Sequence, residues 1–268
     1  MTARSAVGLA LVLGLAASCE EGGGGGEGTL AVEIWGEDFI ETGIPSAVFS
    51  DGWSVTFGRF LVAVDAIGAA RGEAAADLTD DEQRVFDLVR PGPTPILTRV
   101  VPAGRFDSTT YRIGPAQPAA AAGNASAADL DRMRTGGWSV WVEGTATHGA
   151  EAKTFAWGFT TATTYHHCRS EADLHEGAAA TVQLTIHGDH LFYDDLFSSD
   201  PDVTFEVLAQ ADADGDDEVT EDELAAFDIR ALPDYGTGST GIDNLLDFVA
   251  HLTGTLGHID GEGHCETR

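Results

Sequence analysis

The clearest structural signal in this chain is the stretch Trp138-Ser-Val-Trp-Val-Glu-Gly144. Its side chains fall into two alternating sets. The first set is Trp138, Val140 and Val142, and the second is Ser139, Trp141 and Glu143. In a strand, successive side chains point to opposite faces, and β-branched and aromatic residues favour the pleated conformation. The stretch therefore predicts a β-strand with one apolar face.

Eight further segments before residue 188 are rich in β-branched and aromatic residues and are separated by turn residues. They are Thr29–Trp35, Trp53–Phe57, Phe60–Ile67, Arg84–Val89, Ile96–Val101, Thr109–Ile113, Thr154–Phe159 and Thr181–His187. Short strands at near-regular spacing favour a β-sandwich, so residues 29–187 predict a β-sandwich-like domain. Within it, Ala70–Asp81 and Pro115–Ala128 predict surface loops, and Asp129–Arg134 predicts a short helix.

The pattern changes after residue 188, where helical spacing replaces alternation. Ile242–Leu252 carries apolar residues at i, i+3, i+4 and i+7, which predicts an amphipathic helix. Val203–Ala211 and Glu221–Phe227 predict two helices that flank an acidic loop. The expected fold class is therefore mainly β, with a smaller helical part over 188–268 that packs on the sandwich.

The acidic loop is Asp212-Ala-Asp-Gly-Asp-Asp-Glu-Val-Thr-Glu-Asp-Glu223, and it resembles the calcium loop of EF-hand proteins. The candidate ligands, at loop positions 1, 3, 5, 7, 9 and 12, are Asp212, Asp214, Asp216, Glu218, Thr220 and Glu223. Position 6, normally a glycine with a left-handed backbone, is Asp217, a residue type that tolerates this conformation at modest cost. The resemblance implies a bound calcium ion, which we expect to be structural because the loop is single.

The N-terminus has the features of an export signal. Met1-Thr-Ala-Arg4 is a short basic start, and Ala6–Leu15 is an apolar run too short to span a bilayer. Ala16-Ala-Ser-Cys19 then resembles the lipobox of bacterial lipoproteins, although Ala16 stands where Leu or Val is usual. The resemblance implies that residues 1–18 are a cleaved signal peptide and that Cys19 carries lipid.

Residues 19–28 continue with a glycine-rich, acidic segment that predicts a flexible linker between the lipidated cysteine and the domain. We therefore expect an exported protein anchored by lipid to a bacterial membrane, on the periplasmic or cell-surface side of an outer membrane. In general style the chain resembles the lipoproteins that myxobacteria encode in large numbers. That resemblance implies no particular activity.

The net charge limits the classes of molecule that this protein is expected to bind. Acidic residues outnumber basic residues 44 to 14, for a net charge of −30, which argues against nucleic acid as a partner because phosphate binding needs a basic face.

Of the three cysteines, Cys168 and Cys265 remain when Cys19 is lipidated. In an oxidising compartment such a pair predicts a disulfide, and the alternative is a thiolate metal site with neighbouring histidines.

The histidines offer a second candidate metal site. His187, His190 and Asp194 could bind zinc or copper, since a His-x-x-His pair with a nearby carboxylate presents suitable ligands. The interpretation that the spacing favours is structural, with imidazoles that cap turns and hydrogen-bond to carboxylates.

No sequence motif indicates an enzyme, since Gly-x-Ser-x-Gly, His-Glu-x-x-His and a phosphate-binding glycine loop are missing from the sequence. The leading hypothesis is a non-enzymatic, calcium-binding, membrane-anchored lipoprotein that binds a protein or glycan. One alternative is a zinc- or copper-binding lipoprotein that uses His187 and His190. Another is a hydrolase that uses paired carboxylates of Asp189, Asp194 and Asp195.

Overall fold

Strands make up most of the regular structure, and the mainly β fold expected from the sequence is confirmed. The computed structural model describes residues 25–72, 74–232 and 235–268. The predicted signal peptide, Cys19 and the first residues of the linker lie outside the described residues. No helix within the described ranges combines the length and apolar character that crossing a membrane requires.

The strands of the described residues are β1 (Glu27–Trp35), β2 (Ser54–Ala70), β3 (Leu78–Asp80), β4 (Arg84–Asp87), β5 (Thr94–Pro102), β6 (Gly104–Phe106), β7 (Ser108–Ile113), β8 (Ala121–Ala122), β9 (Val140–His148), β10 (Glu151–Phe159), β11 (Thr163–Cys168), β12 (Ala172–Leu174), β13 (Ala179–Ile186), β14 (Glu218–Val219), β15 (Gly257–Ile259) and β16 (Glu266–Thr267). The helices are α1 (Glu37–Glu41), α2 (Ala127–Gly136), α3 (Glu206–Gln210), α4 (Glu221–Ala226) and α5 (Leu245–Leu252). Two single 3-10 turns cover Asp189–Phe192 and Thr253–Thr255.

Two main sheets organise these strands. The smaller sheet has the order β15-β13-β1-β5, in which β1 runs parallel to β13 and antiparallel to β5. The larger sheet follows the path β14-β10-β9-β2-β7-β11-β16, with β3 and β4 also paired to β2. Because β2 is 17 residues long, it pairs with β3, β4, β7 and β9 and forms the spine of a curled sheet.

Alternating side chains of the two sheets supply the main core. In β1, Leu30, Val32 and Ile34 are fully buried, and in β9 the same holds for Val140 and Val142. These five side chains belong to one continuous apolar cluster. The period of two that is visible in the sequence therefore marks the residues that face the core.

Trp138 departs from the alternation that its sequence position suggests. It precedes β9 and packs against Trp141, with ring centroids 6.0 Å apart, in a smaller apolar cluster that also contains Met133 of α2. The indole ring lies over Gly158 of β10, where a Cβ atom would stand 2.6 Å from the ring. The missing side chain at Gly158 therefore gives Trp138 its place outside the main core.

The two predicted loops contain short strands. Within Ala70–Asp81, β3 pairs with the end of β2 and buries Leu78 against the core. Within Pro115–Ala128, β8 pairs parallel to β4. The helix predicted at Asp129–Arg134 is longer, as α2, because the Ser126 hydroxyl accepts a hydrogen bond from the N–H of the third helical residue and caps its start.

The C-terminal part contributes strands to both main sheets as well as helices. β15 pairs with β13, β16 with β11 and β14 with β10. The helix predicted at Ile242–Leu252 begins later, as α5, because Asn244 caps it by accepting from the N–H of Asp247. The helices predicted at Val203–Ala211 and Glu221–Phe227 are the shorter α3 and α4. The part over 188–268 is thus joined to the sheets by backbone hydrogen bonds.

Candidate metal sites

A disulfide bond joins Cys168 to Cys265, as the sequence predicted. Cys168 is fully buried at the end of β11, and Cys265 directly precedes β16, which pairs with β11. The bond therefore ties the C-terminus to one edge of the larger sheet. Since both sulfurs are bonded to each other, the alternative of a thiolate metal site is not formed.

The acidic loop over residues 212–223 brings three carboxylates together. Asp212, Asp214 and Glu223 each offer an oxygen, and these oxygens lie within 4.8 Å of one another. The predicted ligands whose side chains are not in this group are Asp216, Glu218 and Thr220. Glu218 stands at loop position 7, and in an EF-hand-like site that position supplies its backbone carbonyl rather than its side chain.

The loop adopts the left-handed turn that its pattern predicts at position 6. Asp217 has φ of 67°, a conformation that few residues other than glycine adopt. Its N–H donates a hydrogen bond to Oδ2 of Asp212 at 3.1 Å, and the N–H of Gly215 donates to Oδ1 of the same carboxylate at 2.8 Å. The loop backbone therefore wraps around the carboxylate of Asp212.

Glu223 closes the loop at its other end. One carboxylate oxygen accepts a hydrogen bond from the N–H of Ala213 at 2.9 Å, and the other accepts from the N–H and the hydroxyl of Thr220, at 2.9 and 2.8 Å. These donors hold the pKa of Glu223 below its usual value. Thr220, a predicted ligand, acts as the cap of α4, and Glu223 links the start of the loop to the start of that helix.

Lys153 was not among the predicted site residues. Its ammonium lies 2.8 Å from Oδ2 of Asp212 and 2.8 Å from Oδ1 of Asp217, and hydrogen bonds to these two carboxylates raise the pKa of Lys153. The same contact lowers the pKa of Asp212. One signal pointed to this residue, because it is the only lysine in a chain of net charge −30.

The loop is also joined to the larger sheet. Its positions 7 and 8 form β14, which pairs with Thr154 and Phe155 of β10. The indole N–H of Trp157, a fully buried residue of β10, donates to the carbonyl of Val219 at 2.8 Å.

A second group consists of three histidines. His187 follows β13, His190 lies in the adjoining 3-10 turn, and His258 lies in β15. One ring nitrogen from each lies within 4.8 Å of the other two, and all three residues are largely buried. Sequence reasoning proposed the first two but not His258, which only the pairing of β13 with β15 brings close.

Asp194, the third predicted ligand of this site, is not in the group. Its carboxylate accepts a hydrogen bond from the N–H of Asp202 at 3.0 Å. The sequence also predicted a structural role for the histidines, in which they hydrogen-bond to carboxylates. This applies to His167, because its Nδ1 lies 3.2 Å from Oε2 of Glu266 at the protein surface. In the buried group it applies to His187, whose Nε2 lies 3.4 Å from a carboxylate oxygen of Glu37, whereas Nδ1 of His190 faces a backbone carbonyl.

Burial keeps two imidazoles of this group, those of His190 and His258, neutral. It lowers the pKa of His190 to about 4 and the pKa of His258 to about 3, and repulsion from neighbouring histidines adds to both shifts. Around the rings, burial raises the pKa of the Asp189 carboxyl. At neutral pH these two imidazoles therefore have a lone pair available for a metal ion.

The two groups suit different ions. Clustered carboxylates are ligands for a hard cation such as calcium, and clustered neutral imidazoles are ligands for zinc or copper. A pocket of about 540 Å³ leads to the second group and is lined by His190, His258 and His264, among others. Comparison with protein-family models, with curated proteins and with solved structures found no match for this chain.

Proposed function

We propose that this chain is an exported lipoprotein, tethered through Cys19, whose folded domain holds one structural calcium ion in the loop over residues 212–223. The observation that carries the calcium assignment is the grouping of Asp212, Asp214 and Glu223 around a left-handed turn. The anchor is supported by the lipobox-like sequence alone. With a surface this acidic and no catalytic motif, the displayed domain is proposed to act by binding a protein or glycan.

Calcium would relieve a charge conflict that the loop otherwise carries. The carboxylates of Asp212, Asp214 and Glu223 repel one another at this separation, and a divalent cation replaces repulsion with coordination. The backbone carbonyl of Glu218 is the group that an EF-hand-like loop adds at position 7. Because an ion that binds only the folded loop stabilises it, calcium binding and folding are linked.

The surroundings of the loop favour a structural role over a sensor role. The flanking helices α3 and α4 have five and six residues, too few to present a large apolar groove on opening. One side of the loop is fixed to β10 through β14 and through the indole of Trp157. An ion at this point would therefore clamp the C-terminal part to the larger sheet.

Changing Lys153 to methionine is expected to raise calcium affinity and to enlarge the difference in melting temperature between calcium and chelator. Methionine keeps an apolar stem but removes a positive charge that lies 2.8 Å from Asp212. In the native protein that charge repels the incoming ion and partly neutralises the carboxylates when no ion is bound. Thermal unfolding followed by circular dichroism, with calcium and with chelator, measures both effects.

The matched control for this change is Lys153→Arg, which keeps the charge and should leave the calcium-dependent difference close to that of the native protein. A smaller difference in the methionine variant than in the native protein would contradict the proposed position of the ion beside Asp212.

Changing Cys19 to serine is expected to leave the precursor uncleaved or to release the domain from the membrane. Serine has no thiol to accept lipid, and the glycine-rich segment after it has no other means of holding a bilayer. Detergent phase partitioning of expressed protein measures this directly. Ser18→Ala is the control, because it exchanges the small residue before the cysteine for another small residue and keeps the thiol and the disulfide. Full processing together with detergent partitioning of the Cys19 variant would rule out the lipid anchor.

A further inference from the structure

We propose a second metal site, in which the imidazoles of His187, His190 and His258 bind one Zn²⁺ or Cu²⁺ ion beside the pocket that His190 and His258 line. This site is independent of the calcium loop. It uses residues of three separate elements, and its third ligand is visible only once β13 and β15 are paired.

The spacing of the rings fits a shared ion. Metal–nitrogen distances of about 2.0–2.1 Å in a tetrahedral site place ligand nitrogens roughly 3.3 Å apart. The three imidazole nitrogens lie within 4.8 Å of one another, and the ring centroids of His187 and His258 are 4.2 Å apart. Small side-chain rotations would therefore bring all three nitrogens to bonding distance without a change of backbone.

Two of the rings are already oriented by hydrogen bonds. Nδ1 of His190 lies 2.9 Å from the carbonyl oxygen of Thr255, so as an N–H it donates there and leaves the lone pair on Nε2. Nε2 of His187 lies 3.3 Å from the carbonyl oxygen of Gly261 and 3.4 Å from a carboxylate oxygen of Glu37. Such contacts to the second nitrogen fix the tautomer and the ring plane of metal-binding histidines.

The third ring has a nitrogen with no partner. Nδ1 of His258 is buried and makes no hydrogen bond within the described part of the chain, and the same is true of Oδ1 of Asp189. A buried polar atom without a partner costs free energy, and native structures rarely keep one without a reason. A metal ion bound by Nδ1 supplies the missing partner.

The three imidazole ligands, and the pocket through which an ion can reach them, favour zinc or copper. Three imidazoles without a carboxylate or thiolate ligand suit these ions better than calcium or magnesium, which prefer oxygen. Both nearby sulfurs are held in the disulfide. The pocket of about 540 Å³, lined by His190 and His258, gives an ion a way in and leaves room for water or a small anion as a fourth ligand.

Calorimetric titration of the metal-stripped domain with zinc and, separately, with copper tests the site. We expect one ion per chain, with submicromolar affinity, and a loss of at least tenfold in affinity for both His190→Ala and His258→Ala. Electron paramagnetic resonance of the copper-loaded protein should show nitrogen ligands. His175→Ala, at an exposed histidine, and Asp194→Asn should bind as the native protein does.

A positioning residue adds a sharper test. Glu37→Gln keeps the size of the side chain that faces Nε2 of His187, and the loss of a carboxylate partner of this kind typically lowers metal affinity about 10- to 100-fold. Its circular dichroism spectrum and its melting temperature without metal should match the native protein. Glu223→Gln, in the calcium loop, should leave zinc affinity unchanged, which separates the two sites.

A further measurement uses the native protein alone, so its result does not depend on whether the variants fold. Zinc should protect His190 from acylation by diethyl pyrocarbonate, as read by mass spectrometry, and should leave His175 reactive. Affinity weaker than micromolar in the native protein, equal affinity after His258→Ala, or no protection of His190 would each overturn the proposal.

Discussion

Replacing Cys168 and Cys265 together with serine is expected to lower the free energy of unfolding by about 4–5 kcal/mol, because the bond closes a loop of roughly 100 residues. The two cysteines are separated by 97 positions in the sequence. Without the bond, the unfolded chain regains the conformational freedom that loop closure removes. Urea denaturation of the native protein and of the double serine variant, each extrapolated to zero urea with its own slope, measures the difference.

In the double serine variant, the C-terminus should open locally more often than the rest of the fold. β16 is held to β11 by only two residue pairs, at Tyr165 and His166, so the bond at Cys265 is its main restraint. Hydrogen exchange should therefore speed up in the variant at the amide of Arg268, which donates to the carbonyl of Thr164 at 3.1 Å, while β9 stays protected. A drop in stability below about 1 kcal/mol would show that the cross-link does not restrict the unfolded chain as loop-closure entropy predicts.

Calcium at 100 times its dissociation constant is expected to add about 2.7 kcal/mol to the stability of the domain. The gain should fall most in Glu223→Gln, which removes charge from the ligand that links the start of the loop to α4. Asp222→Asn removes the same charge from an exposed neighbour and serves as the matched control. Magnesium should stabilise poorly, because it demands a tighter, octahedral set of ligands.

The sequence predicted the strands that alternate cleanly and failed where pairing rather than pattern decides the structure. Leu30, Val32 and Ile34 show a period of two that follows from one buried face. The short strands β3 and β8 have no such pattern and exist because neighbouring strands offer free hydrogen-bonding groups. Trp138 breaks its own alternation because Gly158, far along the chain, leaves room for its ring.

The two candidate metal sites also differ in how far the sequence predicts them. The ligand spacing of the loop over residues 212–223 is contiguous, so the sequence alone identified Asp212, Asp214 and Glu223. Lys153 reaches the loop from β10, and His258 reaches His187 from β15, through contacts between residues more than fifty positions apart. No local spacing encodes such contacts, because they follow from which strands become neighbours.

Calorimetric titration of the metal-stripped domain with calcium tests the central claim most directly. We predict one ion per chain, with a dissociation constant of about 10⁻⁴–10⁻³ M as is typical of extracellular modules. The Asp222→Asn variant should bind in the same way, and Glu223→Gln should show little or no binding. A native domain that binds no calcium, or a Glu223→Gln variant with an unchanged isotherm, would contradict the assignment of the loop as a calcium site.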